Sequence, residues 1–88
     1  MKKKYIRMTY AGFILFDGQL QHAAMAQPAL NSGDHIISAG FFAADENGLA
    51  VCYGESVSLR VKSRPDDTEK LRDFLGQNAE SIHPESKP

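Results

Sequence analysis

His35-Ile36-Ile37-Ser38-Ala39-Gly40-Phe41-Phe42-Ala43-Ala44-Asp45-Glu46-Asn47-Gly48-Leu49-Ala50-Val51-Cys52-Tyr53 is the stretch that decides the fold. Two β-rich runs, 35–43 and 49–53, flank Asp45-Glu46-Asn47-Gly48, and Asn-Gly tolerates the positive φ that a tight reversal demands. This predicts an antiparallel hairpin and, with it, an antiparallel rather than a parallel sheet.

Downstream, Gly54-Glu55 turns into residues 56–62, where Val57, Leu59 and Val61 alternate with Ser58, Arg60 and Lys62 as in a half-buried last strand. Ser63-Arg64-Pro65-Asp66 then has the form of a helix start, with Pro65 in the first turn, where its missing N–H does no harm. Thr68, Leu71, Phe74 and Leu75 fall at helical spacing. Asp66, Asp67 and Glu69 sit toward the positive end of the dipole, and Gly76 is a natural stop. Residues 77–88 contain two prolines and a single aliphatic side chain beyond alanine, too little burial to offset ordering entropy. The expected organisation is one domain over 1–76 and a disordered tail over 77–88.

Upstream, Pro28, Asn31, Ser32, Gly33 and Asp34 punctuate the chain and predict a connector. Asp17-Gly18 predicts another reversal, after which the Ala- and Gln-rich segment 19–27 starts as a return strand through Leu20 and His22 and then coils into a short helix. Phe13 to Phe16 read as a strand. Residues 5–10 alternate, with Ile6, Met8 and Tyr10 opposed to Tyr5, Arg7 and Thr9, and form the first strand, Ala11-Gly12 permitting a bulge or turn between the two. The fold class that follows is α+β: a small, mainly antiparallel sheet of about five strands with one C-terminal helix packed on it, flat or curled into a partial barrel.

Composition bounds the function. The 88 residues suit one core, and 42% apolar with 24% charged residues places the chain among globular proteins rather than disordered ones. The single Cys52 forms no internal disulfide, which points to a reducing compartment and a cytoplasmic location. Lys2, Lys3, Lys4 and Arg7 imitate the start of a signal peptide, but the apolar run 13–16 ends at Asp17 and is too short for one. No stretch is long enough to span a bilayer. The net charge of −1 hides an asymmetry: residues 1–10 hold four cations and no acid, residues 11–59 hold five acids and no Lys or Arg, and Arg60, Lys62 and Arg64 follow. The molecule as a whole is not basic enough for general nucleic-acid binding.

Few residues have the spacing of a chemical site. His22, His35 and Cys52 match no zinc pattern and supply three ligands where a structural site takes four, so no metal is expected. Gly54-Glu55-Ser56-Val57-Ser58 lacks the second glycine of a nucleophile elbow, and Ser56 and Ser58 read as the wet face of a strand. Asp45-Glu46 and Asp66-Asp67 have local explanations as a hairpin tip and a helix first turn. No glycine-rich phosphate loop occurs, so no nucleotide cofactor is expected.

The surplus in the pattern is apolar. Phe13 and Leu15 oppose Ile14 and Phe16, and Ile37 and Phe41 oppose Ile36 and Phe42, so both sheet faces carry apolar residues that one helix cannot cover. The sheet must curl, be covered by the 19–30 segment, or bury a face against another chain. The expected function is a non-enzymatic interaction module, an adaptor or an inhibitor, that pairs with a second copy or a protein partner through a face including Phe13, Phe16, Ile36 and Phe42. One alternative is single-stranded nucleic-acid binding through Tyr5, Arg7, Arg60 and Lys62, a strand face with cations and an aromatic. Another is a small cysteine enzyme, which requires Cys52 to have a base or a positive dipole within reach.

Overall fold

The structure, a computed structural model, describes residues 2–77. Six strands and two helices follow in the order β1 (Lys3–Met8), β2 (Gly12–Asp17), α1 (His22–Asn31), β3 (Ile36–Ala44), β4 (Ala50–Tyr53), β5 (Glu55–Ser56), β6 (Val61–Lys62) and α2 (Asp67–Leu75). The four longer strands form an antiparallel sheet in the order β2-β1-β3-β4, and β5 pairs with β6 in a separate two-stranded sheet. The fold is α+β as expected, but beside the C-terminal helix the short coil of helix expected late in 19–27 is a full ten-residue helix packed on the sheet. The expected tail, apart from Gln77, lies outside the described residues.

The β3–β4 hairpin forms as its sequence dictates. Ala44 stands opposite Ala50, the Asp45 N–H donates to the Leu49 carbonyl at 2.8 Å, and Gly48 takes φ 80°. Asp45 Oδ1 also accepts from the Asn47 and Leu49 N–H groups, so the turn is closed by its own first residue.

The first hairpin reverses elsewhere than the Asp17-Gly18 pair suggests. Met8 pairs with Gly12, and the turn spans Thr9, Tyr10 and Ala11. Gly12 supplies the positive φ (83°), while the buried Asp34 carboxylate accepts the N–H groups of Tyr10 at 2.8 Å and Ala11 at 2.9 Å. Desolvation pushes the Asp34 carboxyl up, but these N–H groups and that of His35 outweigh it and hold it below the usual range. Gly18 serves another purpose: a Cβ there would lie 2.4 Å from the Lys2 carbonyl oxygen, to which the Gly18 N–H donates at 2.9 Å. Beyond Gly18 the chain leaves the sheet, so no return strand forms through Leu20 and His22.

The segment 22–31 is instead α1, and the helix continues through Pro28. Alanine at 23, 24, 26 and 29 favours helix, and the bond that Pro28 cannot donate would have gone to Ala24, whose exposed position lets water reach the freed carbonyl. Ala26 is fully buried against the sheet, where its small side chain allows the helix to approach Ile6, Met8, Phe16 and Ala39. Met25, Leu30 and Ile14 extend that core, as do Leu59 and Val61 from the β5–β6 side.

The expected strand over 56–62 breaks into two. Ser56 is buried rather than on a wet face, and its Oγ accepts the Leu59 N–H at 3.2 Å; Arg60 adopts φ 59° and reverses the chain between β5 and β6. Alternation survives only where Leu59 and Val61 point into the core, while Val57 is 82% exposed.

The last helix starts at Asp67 and ends on Gly76 at φ 74°. It packs on the face opposite α1, burying Leu71 completely and setting Phe74 against Phe13, ring centroids 5.5 Å apart. Because successive residues of β1 alternate, Ile6 and Met8 meet α1 while Tyr5 and Arg7 meet α2. Of the ways to cover two apolar faces, the chain uses its own 19–30 segment on one and α2 on the other.

Gly40 allows a close approach of β3 to the end of β4. A Cβ there would fall 2.5 Å from the Tyr53 carbonyl oxygen and 3.4 Å from the Tyr5 ring. Gly40→Ala is expected to cost about 1–3 kcal/mol by overpacking, lowering the midpoint of a thermal melt by several degrees. An unchanged melt would show that β4 can move aside.

Candidate functional site

A buried polar cluster lies beneath α2. Asp67 is fully buried, and its carboxylate accepts from the Tyr5 hydroxyl, from Ser38 Oγ at 2.8 Å, from the Arg64 N–H at 2.8 Å and from Arg7 Nη1 at 3.0 Å. Arg7 also reaches Asp66 at 3.1 Å. Desolvation works to raise the Asp67 carboxyl, but the donors Tyr5, Arg64, Ser38 and Arg7 together hold it below the usual carboxylate range. Burial, and then the negative charge of Asp67, keep the Tyr5 phenol protonated well above its ordinary range. Every buried polar atom of the cluster has a partner among the described residues, which makes it a joint between α2 and the sheet.

This joint accounts for two of the residues expected on a nucleic-acid face. Tyr5 has no exposed surface and offers no ring for stacking, and Arg7 is committed to Asp66 and Asp67. Arg60 and Lys62 are exposed, but they lie on the β5–β6 unit and not beside Arg7. Tyr5, Arg7, Arg60 and Lys62 therefore do not form one wet strand surface.

Cys52 stands at the margin of the same cluster, half-buried on β4, its N–H donating to Thr68 Oγ1 at 2.9 Å. Burial, followed by the Asp67 charge, pushes its thiol up to about 11. His22, expected on a return strand, is instead a buried residue at the start of α1, and its Nε2 N–H donates to the Gly40 carbonyl at 2.9 Å. Desolvation lowers its pKa and keeps the ring neutral. No cluster of three metal-ligating side chains occurs among the described residues.

The expected interface residues are dispersed. Phe13 is half-buried beside Tyr5 and Phe74, under α2. Phe16 is 7% exposed in the core under α1, and Ile36 packs on the same core next to the bulge between Arg7 and Met8. Phe42 is half-buried between Lys3 and Cys52. They share no open face, but two of them, Phe13 and Phe16, belong to one strand whose outer edge is open.

The two edges of the sheet differ. In the β3–β4 ladder the Asp45–Leu49 bond sets the alternation, so Ala50 and Cys52 direct their backbone groups outward. Side chains of α2 and of the residue just beyond it close that edge. Gln77 Oε1 accepts the Ala50 N–H at 2.8 Å, Thr68 Oγ1 accepts that of Cys52, and Arg72 Nε donates to the Ala50 carbonyl at 2.8 Å. Gln77, read as the first residue of a loose tail, is thus a fixed part of the fold.

On the other side, the Gly18–Lys2 bond sets the β1–β2 alternation and turns the N–H and C=O groups of Phe13, Leu15 and Asp17 outward. Among the described residues the Asp17 carbonyl accepts the Leu20 N–H at 3.1 Å, and the other five groups have no partner. The strand Gly-Phe-Ile-Leu-Phe-Asp contains no lysine, proline or bulge, the usual devices that discourage pairing at an edge. Asp17 Oδ1, at its end, is buried without a partner among the described residues.

The open edge could not be found from the pattern, because strand order is a long-range property; the absence of charge between Phe13 and Phe16 was the one available sign. Comparison with family models, curated proteins and solved structures yields no match for this chain.

Two outcomes test the chemistry of the site. Both His22 and Asp67 have folded pKa values below their unfolded ones, so each supports folding above its unfolded pKa and loses that support as pH falls toward the folded value. Stability is expected to drop in two stages, below about 6.5 for the histidine and below about 4 for the carboxylate, and His22→Leu should remove the first stage in urea melts taken at each pH. In parallel, Cys52 should alkylate slowly at neutral pH in the native protein and rapidly in denaturant; fast native alkylation would revive the cysteine-enzyme reading.

Proposed function

We propose that the protein is a non-enzymatic interaction module that works by strand addition along the outer edge of β2, with a second copy of the same chain as the partner. The observation that carries this reading is the contrast between the edges: α2 and Gln77 close β4, while Phe13 and Leu15 of β2, and the Asp17 N–H, have no backbone partner on the outer side among the described residues. An open apolar edge is a template for another strand.

The edge is self-complementary. An antiparallel copy with the two-fold axis at Leu15 sets Leu15 against Leu15 and Phe13 against Asp17, an isologous contact that forms about four backbone hydrogen bonds without drawing on the Asp17 carbonyl, which already accepts from Leu20. Each such bond contributes on the order of 1 kcal/mol net, and the half-buried Phe13, Ile14 and Leu15 add apolar area. The result is a continuous eight-stranded sheet with both outer edges closed by α2. A single half-buried free thiol suits a reducing compartment such as the cytoplasm. No helix of the described residues is long and apolar enough to cross a membrane.

Light scattering on size-separated protein over a concentration series tests the proposal, with twice the chain mass expected at tens of micromolar. Leu15→Pro removes an outward N–H and leaves the β1–β2 ladder bonds in place, so it should yield a folded monomer; Leu15→Lys is the milder variant should proline disturb the strand. A wild-type monomer at every concentration, or a dimer indifferent to both substitutions, overturns it.

A further inference from the structure

A second surface, independent of the β2 edge, lies where Lys2 and Lys4 enter the sheet. It is a cavity of about 590 Å³, within the size range of small-molecule sites, roughly 300–1,000 Å³. Its floor is the cross-strand pair Phe41 and Tyr53, whose rings stack 5.8 Å apart at an interplanar angle of 27°. The first turn of α1 forms one wall and the 54–58 segment the other. The Lys2 and Lys4 ammonium groups stand 5.1 Å and 5.9 Å from the centre of the Phe41 ring.

The charges are arranged asymmetrically. Lys2 and Lys4 occupy one end, Lys4 also donating to the Leu20 carbonyl at 2.7 Å, and Glu55, cross-strand from Lys62, is the one acid lining the cavity. His22 is neutral there because its ring is buried and bonded to Gly40. Tyr53 is 41% exposed and Val57 82%, so an aromatic ring and an aliphatic side chain remain in contact with solvent at a site already lined by cations. Solvent-exposed apolar groups beside paired cations suit a ligand with a flat apolar part and an anionic end.

We propose that this cleft binds a nucleoside phosphate, the base lying on the open face of Tyr53 under Val57 and the phosphate held by Lys2 and Lys4. Glu55 repels the phosphate from the opposite end and sets the orientation. The geometry that the sequence pattern sought at Tyr5, Arg7, Arg60 and Lys62, an aromatic face with neighbouring cations, is built here from other residues. The cleft is bounded on three sides, which favours a single nucleotide unit over a long extended segment. That unit is either a free nucleotide or one residue of a single strand.

The test is an amide-resolved NMR titration of the full chain with adenosine 5′-monophosphate, adenosine, inorganic phosphate, a short oligo-dA strand and an acidic aromatic peptide. The expected result is saturable shifts at Phe41, Tyr53, Gly54 and Val57 with the monophosphate, and binding of adenosine or phosphate alone weaker by about tenfold or more. Tyr53→Leu and Lys2→Ala should each weaken the monophosphate by about fivefold or more, and Lys62→Ala should leave it unchanged. The Lys2 side chain has no hydrogen bond among the described residues, so Lys2→Ala remains informative if other variants lose structure. Tighter binding of oligo-dA at the same amides assigns the site to a strand, and tighter binding of the monophosphate assigns it to a free nucleotide; both support the proposal. No saturable shift up to about 10 mM monophosphate, equal shifts in Lys2→Ala, or saturation by the acidic peptide alone overturns it.

Discussion

The carboxylate of Asp67 is the constraint on which the arrangement of this small domain depends. A buried charge is costly unless every lone pair is engaged, and breaking such a cluster from one side typically costs about 3–5 kcal/mol, a large part of the stability of a domain this size. Asp67 meets the condition with donors from three places: Tyr5 and Arg7 on β1, Ser38 on β3, and the Arg64 N–H in the segment leading into α2. The first residue of α2 is thereby anchored over the middle of the sheet, and the direction of the helix follows. Thr68, Arg72 and Gln77 then fall along β4 and occupy its outward backbone groups. One ionic joint determines which sheet edge is closed and, by default, which is open.

Covering two apolar sheet faces with so short a chain requires economy. The face under α2 is held by the polar joint and by Leu71 and Phe74, and the opposite face by a helix rich in alanine. Small side chains let α1 lie close to Ile6, Met8 and Ala39, and the β5–β6 unit fills the remaining area with Leu59 and Val61. Little chain is left for edges. The lysines at 2, 3 and 4 lie on β1 or just before it, one strand in from the edge they could have protected, and two of them, Lys2 and Lys4, border the cleft around Phe41 and Tyr53. Where charge sits among the strands, rather than the net charge of the chain, leaves one edge apolar and one cavity cationic.

How much of this could be read in the sequence follows from the range of each determinant. The β3–β4 hairpin and α2 are specified locally, by Asn47-Gly48 and by the run from Pro65 to Gly76, and both are legible. The β1–β2 turn is not, since the acceptor that holds it is Asp34, beyond an entire helix, and Asp17-Gly18 carries a stronger local signal for a reversal that does not occur. The 22–31 helix is obscured by Pro28, whose cost is small only because Ala24 faces water. Arg60 in a left-handed conformation breaks an alternation that reads as one strand. Asp67 looks like an ordinary first-turn acid, and only the positions of Tyr5 and Ser38 reveal that it points inward. The open edge is legible in part for the same reason: Phe13 and Phe16 lie on the strand that carries it, but alternation puts them on opposite faces, and which strand ends the sheet depends on contacts between distant segments.

The two surfaces are compatible in one molecule. None of the residues lining the cleft comes from β2, so a dimer joined along β2 leaves both cavities accessible, and the two-fold axis at Leu15 places them symmetrically. Lys2 and Gly18 share a backbone bond at the end of the β1–β2 ladder, so the entrance to each cavity lies one strand away from the junction. A ligand that presents two phosphates, as a single strand does, would meet two cationic sites at a fixed separation and gain from effective concentration, whereas a free nucleotide would fill each site independently. The ratio of strand to mononucleotide affinity therefore carries information about assembly: it should collapse in a variant that is monomeric but has an intact cleft, because the second site is lost while every contact at the first is retained.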